Sequence, residues 1–216
     1  MKGFDLLIFD LDGTLVDSSD DIVTSMNYTL RELGLEEMAK PEIMNCVGFG
    51  SEFFIRGCLR GRDELLDDTR GCYMKYYMAH LTDKTTPFDG VEDTLRQILS
   101  LDKKHMVVFS NRGGNSARKI LDLLRLSGYF KEVIGDKDGF ELKPDPKTIG
   151  HWLDKFSVPK DEALMIGDSA VDIEAGKAAG IKTCLAKFGY GRYHDGFSEV
   201  DADYSIGEFR QLLEII

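Results

Sequence analysis

The chain has 216 residues, 43% of them hydrophobic, and a formal net charge of −11. Its length and apolar content allow a substantial core, either one domain with a modest insertion or two small domains. The acidic balance argues against a nucleic-acid partner held through phosphates and gives no attraction to an anionic membrane, and an anionic substrate would need a local positive site or a metal to hold it.

Leu6 to Leu15 opens as an apolar run without helical period, which suits a buried strand. The run ends in Asp10 and Asp12, followed by Gly13. Strand side chains repeat every two residues, so both acids can project to one side of the strand end. Two adjacent carboxylates repel unless a cation or a shared proton relieves them. The alternative at this point is a strand stopped by an Asp-Gly turn.

Ser18-Ser19-Asp20-Asp21 has the pattern of a capping box, and apolar residues at helical spacing predict a helix over 18–33 that stops at Gly34. Pro41 opens a short helix, Gly48-Phe49-Gly50 reads as a hinge-like break, and further helices are expected over 52–59 and 65–81. Residues 16–82 thus read as helices without a strand, with Tyr73, Met74, Tyr76, Tyr77 and Met78 as packing inside that unit.

The pattern changes at Pro87-Phe88-Asp89-Gly90. A helix over 91–101 leads to a strand over 106–109 that ends at Ser110-Asn111. A helix over 115–126 and a short strand near Val133-Ile134 follow. Pro146 places the start of a helix over 146–156, and strand 163–166 ends at Gly167-Asp168-Ser169. A helix over 170–179 stops at Gly180, and then come strand 182–185, a glycine-rich loop over 189–196, a short strand near 203–206 and a C-terminal helix. Alternating strands and helices imply an α/β fold: a Rossmann-like parallel sheet with helices on both faces, which binds ligands at the carboxyl ends of its strands. The helical block interrupts this pattern directly after the first strand. It is therefore expected to sit over the site as an inserted cap of residues 16–82, with 1–15 and 83–216 forming the core.

Cys46, Cys58, Cys72 and Cys184 form no Cys-x-x-Cys pair, so neither a zinc knuckle nor a thioredoxin-like motif is present, and they read as free thiols of a reducing compartment. No segment approaches the roughly 18 apolar residues of a membrane span. The first strand begins by residue 5 and carries the candidate site, so no signal peptide is read and a cytoplasmic location is expected.

Asp168 and Asp172 form a second acidic pair, at a strand end and one turn into the next helix. A carboxylate favoured by a helix N-terminus explains one acid but not two pairs at strand ends. Asp10, Asp12, Asp168 and Asp172 make an oxygen-rich set without His or Cys, which suits a hard cation, Mg²⁺ when a phosphate shares it. Lys143, in a loop between two motif-bearing strands, can neutralise a phosphate, Ser110 can hydrogen-bond one, and backbone N–H groups after Asp10 and Ser110, including that of Asn111, can complete the cradle. His80, His105, His151 and His194 are remote from these motifs in sequence and read as surface or packing residues.

Asp10-Leu11-Asp12-Gly13-Thr14-Leu15, Ser110-Asn111, Lys143-Pro144 and Gly167-Asp168-Ser169-x-x-Asp172 resemble, in order and spacing, the four motifs of the haloacid dehalogenase superfamily. The helical insertion after the first motif resembles its phosphoglycolate-phosphatase-like branch. The resemblance implies a Rossmann-like core with a helical cap, and a Mg²⁺-dependent phosphatase acting on a small phosphorylated metabolite, by default phosphoglycolate. It implies Asp10 as the nucleophile that forms an aspartyl-phosphate, and Asp12 as general acid and then base. Ser110 and Lys143 would bind the phosphoryl group. Asp10, the Asp12 carbonyl and Asp168 would ligate Mg²⁺, with Asp172 in support. Gly48-Phe49-Gly50 resembles the cap loop that faces the active site in this branch, an ordinary interhelix turn being the other reading.

Asp12 favours phosphate chemistry over dehalogenation. The absence of a histidine around Ile22, where beta-phosphoglucomutases carry one, weakens a sugar-phosphate mutase. That mutase, a pyrophosphatase and a non-enzymatic regulatory binding protein are the alternatives. Arg112 stands where relatives often have a lysine.

Overall fold

The structure, a computed structural model, describes residues 3–101, 103–194 and 200–216. Strand β1 (Leu6–Phe9) lies inside a six-stranded sheet, which explains why all four of its residues are buried. After it come the two-residue strand β2 (Val16–Asp17) and helices α1 (Ser19–Glu32), α2 (Lys40–Met44), α3 (Ser51–Leu59) and α4 (Leu66–Ala79). Strand β3 (Thr86–Pro87) and helix α5 (Val91–Leu99) lead into β4 (His105–Gly113), α6 (Gly114–Leu123), β5 (Glu132–Asp136) and α7 (Lys147–Phe156). Strand β6 (Ala163–Gly167), helix α8 (Ala170–Ala179) and strands β7 (Lys182–Ala186) and β8 (Tyr204–Ile206) complete the series. The sheet order is β5-β4-β1-β6-β7-β8 and every pairing in it is parallel.

The strand period explains the two-sided core. Leu7 and Phe9 join one apolar cluster with Met106, Val108, Leu164 and Ile166, while Leu6 and Ile8 join the other with Val107, Phe109, Met165 and Trp152. Each neighbour continues the alternation in register, since Leu6 pairs with His105 and Ala163, and Phe9 with Val108 and Ile166. With both faces covered, a sheet of this kind exposes only its strand ends to ligands.

Several sequence expectations are corrected in detail. Residues 16–82 do contain a strand: β2 pairs antiparallel with β3, Val16 opposite Pro87 and Asp17 opposite Thr86, where the chain leaves for the helices and returns. Two residues are too few for a periodic signal. The capping box at Ser18 does not form; no side-chain cap is made there. Asp21 instead accepts bonds from the Lys84 and Thr85 N–H groups and from Thr85 Oγ1, tying the start of α1 to the returning chain. The C-terminal helix is a short 3₁₀ segment, Phe209–Glu214. The glycine-rich loop holds a 3₁₀ turn over Tyr190–Tyr193, and its residues 195 and 196 lie outside the described part.

In the helical segment, α4 packs on α1 and α3, and α3 also touches β4. Tyr76 stacks on Tyr28 with ring centroids 3.9 Å apart, and Tyr73 on Tyr77 at 5.2 Å. Cys46, Cys58, Cys72 and Cys184 are all free thiols. Among the described residues no helix is long and apolar enough to cross a membrane.

Candidate active site

The strand ends converge on one site. Asp10 directly follows β1, Asp168 directly follows β6, and Asp172 lies in the first turn of α8. Ser110 to Arg112 lie in a stretch of β4 where the register with β5 shifts between Phe109 and Gly113. Such an irregularity re-aims the side chains next to it. Asp10, Ser110, Asn111, Lys143, Asp168 and Asp172 are all buried, although five of the six are charged or potentially charged groups or hydrogen-bonding amides.

Lys143 is the positive centre of this cluster. Its Nζ donates to Asp10 Oδ1 and to Asp172 Oδ1, both at 2.6 Å. Burial works to lower the ammonium's pKa, but Asp10 and Asp172 outweigh it and raise it. Asp172 also accepts from the Ser169 N–H and Oγ, at 3.0 and 2.6 Å. Asn111 holds the backbone of Lys143: its Oδ1 accepts the Lys143 N–H at 2.8 Å and its Nδ2 donates to the Lys143 carbonyl at 2.9 Å. Its side chain donates also to the Gly48 carbonyl, so that amide is occupied by backbone and only the Asn111 N–H could serve a phosphate. Ser110 Oγ accepts the Arg112 N–H at 3.2 Å, which leaves its hydroxyl proton to be donated.

One lysine does not balance three carboxylates. Oxygens of Asp10, Asp168 and Asp172 lie within 4.8 Å of one another. Burial, opposed by Lys143 and reinforced by Asp172 and Asp12, raises the Asp10 carboxyl to about 7. Burial, followed by Asp10 and Asp172, raises Asp168 well above the carboxylate range, against the pull of the Tyr190 and Gly191 amides. A buried, oxygen-only set with excess negative charge fits a hard divalent cation such as Mg²⁺. Two glycines let the chain close around Asp168: a Cβ on Gly13, whose φ is +89°, would fall 2.2 Å from Asp168 Oδ2, and one on Gly189 would meet the same carboxylate at 2.5 Å.

The Asp12 carboxylate belongs to a different network. Arg112 grips it with two bonds, Nε to Oδ2 and Nη2 to Oδ1, each 2.7 Å long. Ser18 Oγ also donates to Oδ1, which is the task that displaces it from the helix cap. Arg112 Nη1 donates to the Tyr77 hydroxyl of α4. Burial works to lower the Arg112 pKa, but Asp12 overrides it and raises it further, so the guanidinium stays charged. Tyr77 was expected as packing alone; its ring does pack on Tyr73, but its hydroxyl meets the site.

These groups line one cavity of about 360 Å³, bounded by the strand ends below and by Val47, Gly48, Gly50, Ser51, Phe54, Tyr73 and Tyr77 of the helical segment. Gly48 and Gly50 line this cavity. Phe49 does not: it turns outward, 41% exposed, onto Phe53 and His194, with ring centroids at 4.9 and 5.2 Å. Ser51 Oγ bonds Asp136 Oδ2 at 2.6 Å across the cavity rim. His194, read from the sequence as a surface or packing residue, lines the cavity, because the loop after β7 folds back beneath Asp168. Tyr77, Ser18 and Tyr190 escaped the sequence reading of the site, and Arg112 was marked there only as a departure directly after Ser110-Asn111, without its partner Asp12.

A profile of the haloacid dehalogenase-like hydrolases matches residues 7–186. The phosphoglycolate phosphatase of Aquifex aeolicus is 37% identical over 185 residues, which cover 86% of this chain and 85% of the relative. The phosphoglycolate phosphatase of Neisseria gonorrhoeae is 34% identical, covering 85% of this chain and 80% of the relative. Among solved structures, a predicted phosphoglycolate phosphatase of Haemophilus somnus superposes with a TM-score of 0.91 at 25% identity, covering 98% of this chain and 97% of that one.

Proposed function

Because this chain belongs to the haloacid dehalogenase-like hydrolases, we propose that it is a phosphatase that hydrolyses a small phosphorylated metabolite, phosphoglycolate by default, through an aspartyl-phosphate on Asp10. The observation that carries this is Lys143, held between Asp10 and Asp172 with Asp168 beside them. An ammonium and a cluster of ligating carboxylates at the ends of parallel strands are the charge pattern phosphoryl transfer requires.

Asp10, Asp168, Asp172 and the Asp12 carbonyl would hold Mg²⁺, which when bound neutralises charge on the transferring phosphoryl group. Lys143 and the Ser110 hydroxyl bind the phosphoryl oxygens, and the backbone N–H of Asn111 completes the cradle. A carboxylate oxygen of Asp10 attacks phosphorus and the ester P–O bond breaks. Asp12 gives a proton to the departing oxygen, which leaves as an alcohol. In the second half, the Asp12 carboxylate takes a proton from water as the water oxygen attacks phosphorus. The acyl-phosphate bond then breaks, returning Asp10 as a carboxylate and releasing phosphate. A covalent intermediate divides a very slow hydrolysis into two easier steps.

Residues 16–82 act in this account as a cap over a core of 1–15 and 83–216, with the β2–β3 ribbon as the crossing point. Gly48 and Gly50 bring that segment to the substrate. Helix α1 carries no histidine, which weakens the mutase alternative. The net charge of −11 fits neither a nucleic-acid partner nor an anionic membrane, and four free thiols support a cytoplasmic protein.

The test is phosphate release from a chromogenic aryl phosphate with and without Mg²⁺. Turnover that needs Mg²⁺ and disappears in Asp10→Asn supports the proposal. Equal turnover by the variant, or none by the wild type on any phosphate ester, contradicts it.

A further inference from the structure

Arg112 carries more donors than its partners use. A guanidinium has five N–H groups. Two of them bond Asp12 and one bonds the Tyr77 hydroxyl, so among the described residues one N–H on Nη1 and one on Nη2 remain. The side chain is only 10% exposed and lines the same cavity as Asp10, Ser110 and Lys143. Two coplanar donors on adjacent nitrogens match the two oxygens of a carboxylate. The other cations around the cavity are less suited. Lys143 is engaged by two aspartates, Arg118 is paired with Asp138 and half-exposed, and Lys137 is exposed.

We propose that Arg112 determines specificity: it receives a carboxylate of the substrate on its remaining N–H groups, and so selects phosphate esters of short 2-hydroxy acids. The proposal rests on the phosphatase function above and names the residue that reads the substrate's acid group. Position supports it. The Arg112 N–H is bonded to Ser110 Oγ, so the guanidinium springs from the same end of β4 as the phosphate-binding hydroxyl. Its grip on Asp12 places whatever else it binds within one guanidinium of the departing oxygen. A carboxylate on the carbon that bears the ester oxygen is the acid group that lies nearest that oxygen. A lysine at this position would supply charge without the planar fork.

The experiment compares 2-phosphoglycolate with its carboxamide, an ester of the same shape without the charge, in wild type, Arg112→Met and Arg112→Lys. The wild type is expected to favour the carboxylate ester in kcat/KM by about 100-fold, the discrimination of a site that leaves buried donors unpaired with the wrong substrate. Arg112→Met shares the loss of support for Asp12 between both esters, but its ratio is expected to fall to within a few-fold of one, with Arg112→Lys in between. A second readout needs no variant: glycolate inhibits the wild type more strongly than glycolamide does. A wild type that hydrolyses both esters equally, or an Arg112→Met variant that retains the 100-fold ratio, overturns the proposal. A wild type inactive on both esters and on the aryl phosphate instead overturns the phosphatase function beneath it.

Discussion

Lys143 and Asp10, 133 residues apart in the chain, meet through a 2.6 Å bond between buried groups. The same ammonium holds Asp172 at 2.6 Å. Removing it leaves three buried carboxylates without a fixed countercharge. Lys143→Met is therefore expected to cost about 3 kcal/mol of stability without metal and about 1000-fold in kcat/KM. Chemical denaturation and steady-state kinetics measure both, and a stable, active variant would remove Lys143 from the account.

The Asp10 carboxyl, raised from 3.8 to about 7, sets the sign of a pH effect. Between those values the folded protein keeps a proton that the unfolded chain has released. The group's contribution to stability is full below 3.8 and is lost as the pH rises to about 7. A divalent cation favours the ionised carboxylate, so it offsets this loss. The rise in Tm on adding Mg²⁺ should be larger at pH 8 than at pH 5, as thermal scans would reveal; equal shifts would mean that the carboxylates do not hold the metal.

Asp21 fastens the helical segment to the returning chain by four bonds to Lys84 and Thr85. It is buried and touches no catalytic group. Asp21→Ala leaves the Lys84 and Thr85 amides unpaired and is expected to cost about 2–4 kcal/mol. Denaturant unfolding checks this; a loss below 0.5 kcal/mol, the ordinary range for surface changes, would show that the connection is not structural.

Gly13 controls how closely the first turn approaches Asp168. With φ at +89° and a hypothetical Cβ 2.2 Å from the carboxylate, Gly13→Ala must displace Asp168 or the turn. Mg²⁺ affinity, followed by calorimetry, is expected to fall by 10-fold or more, as when the support of a ligand is disturbed. Unchanged affinity would argue that Asp168 lies outside the metal site.

The sheet and the acids at its strand ends were legible because they are local signals: apolar runs of strand length, each ending in a polar motif. Asp10, Ser110, Lys143, Asp168 and Asp172 fall together because parallel strands present their carboxyl ends on one side. What was not legible depends on long-range partners. The Asp12–Arg112 pair joins residues 100 apart, and although Asp12 reads as a site acid and Arg112 as a departure beside Ser110-Asn111, nothing local pairs them. Ser18 looked like a helix cap because nothing local reveals that its hydroxyl turns to Asp12. Tyr77 sits in a stripe whose spacing reads as packing, and the role of its hydroxyl appears only once α4 lies over β4's end.

In the proposed reaction Asp10 attacks phosphorus and is then released by water, two displacements at one atom. The direct measurement is the stereochemical course with an ester made chiral at phosphorus by oxygen isotopes. Two in-line displacements predict phosphate released with net retention of configuration. Net inversion would mean a single attack by water and would contradict an intermediate on Asp10.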